Sequence, residues 1–133
     1  MSYTPREAVE KTGFSLDTLR YYERIGLLDS VERNAGGQRV FTDDDLAWLK
    51  VLRCLRDTGM PIACMRRYAE LARGGDATFA ERAELLEEHD REIDRKIAAL
   101  RDEQARIKHK IEWYRQALAN GLDPERAPAS TVR

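Results

Sequence analysis

The chain has 133 residues, of which 35% are charged, with two cysteines and a net charge of −1. That length suits one ordinary domain, and many charges with few aromatics and glycines suit long solvated helices more than a single compact core. No apolar run nears the ~20 residues of a membrane span and no signal-peptide pattern opens the chain, so a cytoplasmic protein without a membrane partner is expected, and two cysteines are too few for a disulfide framework.

Thr4-Pro5 is a helix start, a hydroxyl cap followed by proline at the first helical position, and the helix is predicted to run to Thr12 and stop at Gly13. Phe14 fills the turn. Ser15 caps a second helix from Leu16 to Ile25, ended by Gly26. Two short helices around a glycine turn form the helix-turn-helix pattern. At ~100° per residue, Leu16, Leu19, Tyr22 and Glu23 share one side of the second helix, and Asp17, Arg20, Tyr21 and Arg24 share the other. Two guanidiniums and a phenol suit phosphate oxygens and guanine edges. A solvated face with Asp17 paired to Arg20 or Tyr21 gives the same pattern.

Two short runs around Asn34-Ala35-Gly36-Gly37 predict a β-hairpin with Arg33 before its tip and Arg39 after it. Behind a helix-turn-helix, such a basic hairpin suits the DNA backbone; a plain surface hairpin reads alike. Bulk charge does not decide. Residues 1–73 hold 12 Lys/Arg against 11 Asp/Glu, and residues 74–133 hold 11 against 13, so only the placement of the arginines argues for nucleic acid.

Thr42 with Asp43, Asp44 and Asp45 opens a third helix to about Thr58, with Leu46, Leu49, Leu52 and Leu55 as its core stripe. A fourth is predicted from Pro61 to Arg73. From Thr78 to Asn120 neither proline nor glycine occurs, which predicts one helix of ~60 Å. Leu86, Ile93, Leu100, Ile107 and Tyr114 recur every seven residues, and Ala83, Asp90, Ile97, Gln104, Ile111 and Leu118 form the companion series. This is a heptad seam that needs a second strand, and another copy of the chain is the expected donor. The fold class is therefore mainly α. Residues 1–73 are expected to form a winged helix-turn-helix head, 74–77 a linker, 78–120 a dimerisation coiled coil and 121–133 a flexible tail.

Taken in order, these parts resemble the MerR family of bacterial transcription regulators. The resemblance rests on Thr12-Gly13-Phe14-Ser15, Thr18 to Glu23, Gly26-Leu27-Leu28, Arg33, Gly37, Arg39, the Thr42–Asp45 cap, the Gly59 break and the long terminal helix, and covers about residues 3–118. It implies an antiparallel pairing of the long helices in a homodimer. It implies a pseudo-palindromic site in promoter DNA, activation by distorting that DNA, and RNA polymerase as partner at the same promoter. It implies DNA contacts from Ser15, Thr18, Arg20, Tyr21 and Arg24 on the recognition helix and from Arg33, Gln38 and Arg39 on the wing. Its dimer seam would use Leu86, Ile93, Ile97, Leu100, Ile107, Ile111 and Tyr114. The chain departs from the family at Pro5-Arg6, where Ile-Gly is usual, and at Gln38 and Phe41, where tyrosines are frequent. Gln38 still donates to phosphate, whereas Phe41 is expected in the core.

No metal or other cofactor is expected. The cysteines of the mercury- and zinc-type members are replaced by Ala77-Thr78 and by a tail without Cys or His, and an iron–sulfur cysteine cluster is absent. The run Leu52 to Pro61 is similar to the aldehyde- and electrophile-responsive (AdhR/NmlR-like) branch, which carries one cysteine at the position of Cys54. Lys50, Arg53 and Arg56 lie near it, and cations favour the reactive thiolate. Cys54 also shares a helix side with Ala47 and Val51, as a small core residue would. Cys64 precedes Arg66-Arg67 and has no matching family role. Three other readings remain open: a regulator with structural cysteines that binds a small ligand beside Tyr68, a coiled-coil protein that reads no DNA, and an enzyme. No paired carboxylates, nucleophile–histidine arrangement or phosphate-binding glycine loop stands out for the last.

Overall fold

The structure, a computed structural model, is described for residues 1–121. The elements in order are β1 (Ser2–Tyr3), α1 (Pro5–Thr12), α2 (Leu16–Arg24), β2 (Glu32–Arg33), β3 (Arg39–Thr42), α3 (Asp43–Asp57), α4 (Ile62–Arg73), a 3₁₀ turn (Gly75–Thr78) and α5 (Phe79–Ala119). The architecture is mainly α with a small sheet. Of the tail expected from residue 121 on, residues 122–133 lie outside the described residues. Two compact units divide the chain, Met1–His89 and the part from Asp90 on. The first stretch of α5 thus belongs to the head unit, and the residues expected as a plain linker form a 3₁₀ turn that leads into it.

Local chemistry accounts for the helix ends. Thr4 and Glu7 form a capping box on α1, Thr42 and Asp45 form another on α3, and the Ser15 hydroxyl accepts from the Thr18 amide at the start of α2. Gly13 closes α1 at φ 77, a left-handed cap that strains any other residue. A Cβ there would also lie 3.2 Å from the Arg53 guanidinium.

The core of the head joins all these pieces. Phe14 in the turn, Leu19 and Tyr22 of α2, Leu27 and Leu28 after it, Phe41 of β3, the α3 stripe Leu46, Leu49, Leu52 and Leu55, and Met65 and Ala69 of α4 are buried together. Phe14 meets Tyr22 edge-to-face at 5.2 Å. The sheet order is β1-β3-β2, all antiparallel, with Tyr3 opposite Phe41 and Arg33 opposite Arg39. The two-residue β1 was not expected from the sequence. It is held by the Tyr3 hydroxyl, which donates to Asp43 at 2.7 Å, and by the N-terminal amine on the same carboxylate at 3.3 Å.

Among the described residues of the second unit α5 continues alone, and the seam residues Ile97, Leu100, Ile107, Ile111, Tyr114 and Leu118 are exposed. Among the described residues no helix is long and apolar enough to cross a membrane.

Candidate nucleic-acid interface

Burial divides α2 as its periodicity predicts. Leu19 and Tyr22 are buried, and Asp17, Arg20, Tyr21 and Arg24 are exposed. Tyr21 is 40% exposed, and the Arg24 guanidinium lies 5.3 Å from its ring centroid, so the two present one amphipathic surface. Ser15 and Thr18 bond each other, hydroxyl to hydroxyl at 2.9 Å, which fixes the entry of the helix. No ion pair engages Arg20 among the described residues, so its charge is available to a ligand.

The hairpin is shaped by Asn34 and Gly37. The Asn34 carboxamide oxygen accepts from the Gly36 and Gln38 amides at 2.9 and 3.0 Å, and Gly37 takes φ 79. Arg33 folds over the tip and donates to the Gly37 carbonyl at 2.9 Å, while Gln38 stays exposed. Arg39 is engaged within the protein. Its Nε and Nη2 donate to Glu23 Oε1 at 3.2 and 3.1 Å, with both side chains about one-fifth exposed. The other oxygen of Glu23 accepts from the Val31 amide at 2.8 Å. One carboxylate of α2 therefore holds both ends of the hairpin and sets where the hairpin stands beside α2.

A groove of about 700 Å³ runs between the wing and the helices, with Arg20, Arg33, Gln38 and Arg39 on its walls together with Arg6 of α1. Among the described residues, four guanidiniums and no acid line it, which is the electrostatic footprint of a polyanion site. Arg6 was not singled out from the sequence as a contact. Phe41 is fully buried, as expected.

Cys54 lies outside this groove. The buried stripe of α3 faces the core, whereas Ala47, Val51 and Cys54 are exposed, so the cysteine is not a core residue of the head. Its neighbour Arg53 reaches back to the turn between α1 and α2. The Arg53 Nη1 donates to the Gly13 carbonyl at 2.6 Å and its Nε to Asp57 at 2.9 Å, and Arg53 and Arg56 both stand over the Phe14 ring. On the other side the Thr58 hydroxyl lies 2.8 Å from the Cys54 carbonyl and 2.7 Å from His89 Nε2 of α5. The hydroxyl has one hydrogen. With it on the Cys54 carbonyl, His89 must carry its proton on Nε2 and donate. Cys64 is also exposed. Tyr68 stacks on Trp48 at 5.5 Å and 5°.

A helix-turn-helix, a hairpin wing and a groove lined by arginines define a winged-helix DNA-binding protein. Comparison with known proteins narrows this: the sequence matches the MerR HTH family regulatory protein over residues 3–71 and the MerR DNA-binding region over residues 46–110. The chain belongs to the MerR family of DNA-binding transcriptional regulators. An uncharacterized HTH-type transcriptional regulator of Haemophilus influenzae is 41% identical over 91% of this chain and 90% of its own length. The regulator AdhR of Bacillus subtilis is 34% identical over 60% of this chain and 57% of AdhR. The crystal structure of HiNmlR, a MerR family regulator lacking the sensor domain, bound to promoter DNA, shares 41% identity and a TM-score of 0.78 over 91% of this chain and 96% of that one. These relatives support the AdhR/NmlR-like branch, and all three are transcriptional regulators, not enzymes.

Proposed function

We propose that the protein binds a pseudo-palindromic operator in a promoter spacer as a homodimer and activates transcription with RNA polymerase by distorting that DNA, in response to aldehydes or other thiol-reactive electrophiles at Cys54. The operator is gripped by α2 and the wing. Thr18, Arg20, Tyr21 and Arg24 face the major groove, with Ser15 fixing the helix entry. Arg33 and Gln38 meet the backbone from the hairpin, and Arg39 holds the hairpin to Glu23. The second head comes through α5, whose exposed seam of Leu, Ile and Tyr supports pairing with a second copy. Bending a site of 20–30 base pairs costs on the order of 1–6 kcal/mol, a range that contacts of two heads can supply.

The observation that carries the sensing part is the position of Cys54 within the head. The thiol is exposed. The adjoining Arg53 is bonded to the turn of the helix-turn-helix, and the Cys54 carbonyl is linked through Thr58 to His89 on α5. Addition of the Cys54 thiol to an aldehyde forms a carbon–sulfur bond as the C=O π bond opens, with the thiol proton passing to the new hydroxyl. The added group brings bulk to the residue adjoining both links, so one reaction can shift both the reading turn and the long helix. Neither cysteine forms a disulfide within the chain.

Intact-protein and peptide mass spectrometry after exposure to formaldehyde and to a quinone tests the assignment. The adduct is expected on Cys54 at the lowest dose. Modification of Cys64 alone, or of neither thiol, contradicts it. A second reading, a non-covalent effector with structural cysteines, is favoured by a cavity of about 260 Å³ in the head, where Leu27, Leu28 and Trp48 meet Asp29, Asp44 and Arg73. On that reading a Cys54→Ser protein responds as the wild type does.

A further inference from the structure

We propose that Arg6 is a DNA-backbone contact, which makes the first turn of α1 a third wall of the interface beside α2 and the wing. The groove described above is bounded by Arg6 as well as by Arg20, Arg33 and Arg39. Internal bonds already engage two of these cations: Arg39 is on Glu23, and Arg33 is on the carbonyl of Gly37. Arg6 is different. Its ion pair is with Glu10, one turn along the same exposed helix face, at 3.7 Å with side chains 90% and 67% exposed. Such a pair holds its cation weakly and yields to a better anion. The nearest acid in sequence, Glu7, is turned into the capping box, where it accepts from the Thr4 amide at 3.1 Å. It is not on the groove wall.

The preceding residue strengthens the case. Pro5 at the first helical position has no N–H to offer a phosphate. A glycine in place of Arg6 would leave this end of α1 without a cation. The guanidinium restores a donor there, and its length allows it to follow a phosphate from an exposed helix turn. Because it faces the backbone, Arg6 adds affinity and salt dependence and carries no sequence information.

The inference rests on DNA binding by a two-headed protein. It is tested with a duplex that the wild-type protein itself selects from a random-sequence pool. Affinity is then measured from 50 to 200 mM salt for wild type, Arg6→Gln and Arg6→Lys. Each lost phosphate contact lowers the slope of log affinity against log salt by about 0.9, hence about 1.8 for two heads. Over that range the wild type should lose about 12-fold more affinity than Arg6→Gln. Arg6→Lys should keep the wild-type slope, and Arg6→Gln should select the same sequence and keep its melting temperature, since only an exposed pair is lost. A wild-type slope in Arg6→Gln overturns the proposal, as does an Arg6→Lys slope equal to that of Arg6→Gln. Failure of the wild type to select any duplex is a separate result and sinks the DNA-binding reading with it.

Discussion

At the scale of single residues, the arginines of the head fall into distinct roles that the sequence shows as one set. Arg20 is exposed on the outer face of α2 with no ion pair among the described residues, whereas Arg39 donates twice to Glu23 Oε1. Arg20→Ala is therefore expected to abolish operator binding in a gel shift while leaving the melting temperature unchanged. Arg39→Ala should instead leave the Glu23 carboxylate partly buried and unpaired, at a cost on the order of 2 kcal/mol, and weaken DNA binding through a displaced wing. Thermal melting separates the two: a stable Arg39→Ala protein that has lost DNA binding would make Arg39 a direct contact. The pair joins residues 16 apart on different elements, and no local pattern announces it. Asp43 is a second such case. The hydrogen bond from the Tyr3 hydroxyl, and then the N-terminal amine, hold its carboxyl below the usual range, and the same hydrogen bond raises the Tyr3 phenol. A depressed carboxyl stabilises above its unfolded pKa and loses that contribution as pH falls through the folded value. A raised phenol stabilises below its unfolded pKa of about 10 and loses that contribution as pH rises through the folded value. The β1–β3 pairing should accordingly hold at neutral pH and loosen in acid and in strong base. The chemical shifts of Tyr3 and Phe41 across a pH titration check this; shifts that stay constant through the acid range would contradict it.

At the scale of elements, the helices were legible because their ends are written locally. Thr4, Ser15 and Thr42 act as caps, and Gly13 takes the left-handed conformation its position requires. The strand β1 was not legible, since two residues have no periodicity and their pairing depends on β3, some 40 positions away. The side of α3 bearing Cys54 was ambiguous for a related reason. Ala47, Val51 and Cys54 are apolar enough for a core, and only the packed head shows that Leu46, Leu49, Leu52 and Leu55 fill it. The link from α3 to α5 through Thr58 and His89 was likewise invisible, being 31 residues apart in sequence. It carries its own prediction. Thr58→Val removes the hydroxyl and keeps the shape, so it should preserve DNA binding and reduce the response to electrophiles in a promoter reporter. An unaltered response would remove this link from the route between Cys54 and the long helix.

At the scale of the whole molecule, a pseudo-palindromic operator requires two heads. The seam of α5 is exposed in the single chain, with Leu100 at 71% and Ile107 at 62%, and burying such a side chain contributes about 1.5–3 kcal/mol. Ile107→Glu should shift sedimentation from dimer toward monomer and weaken operator binding with it; a fully dimeric variant would show that this seam is not the interface. The heptad repeat is the ground for expecting a partner, because a narrow apolar stripe on a charged helix cannot bury itself. On the proposed function, the trigger is chemistry at the Cys54 thiol. The most direct test is transcription from the promoter containing the selected operator, with wild-type and Cys54→Ser proteins, before and after formaldehyde. Both proteins should occupy the operator, and only the wild type should raise transcription. Equal induction of the Cys54→Ser protein would contradict it.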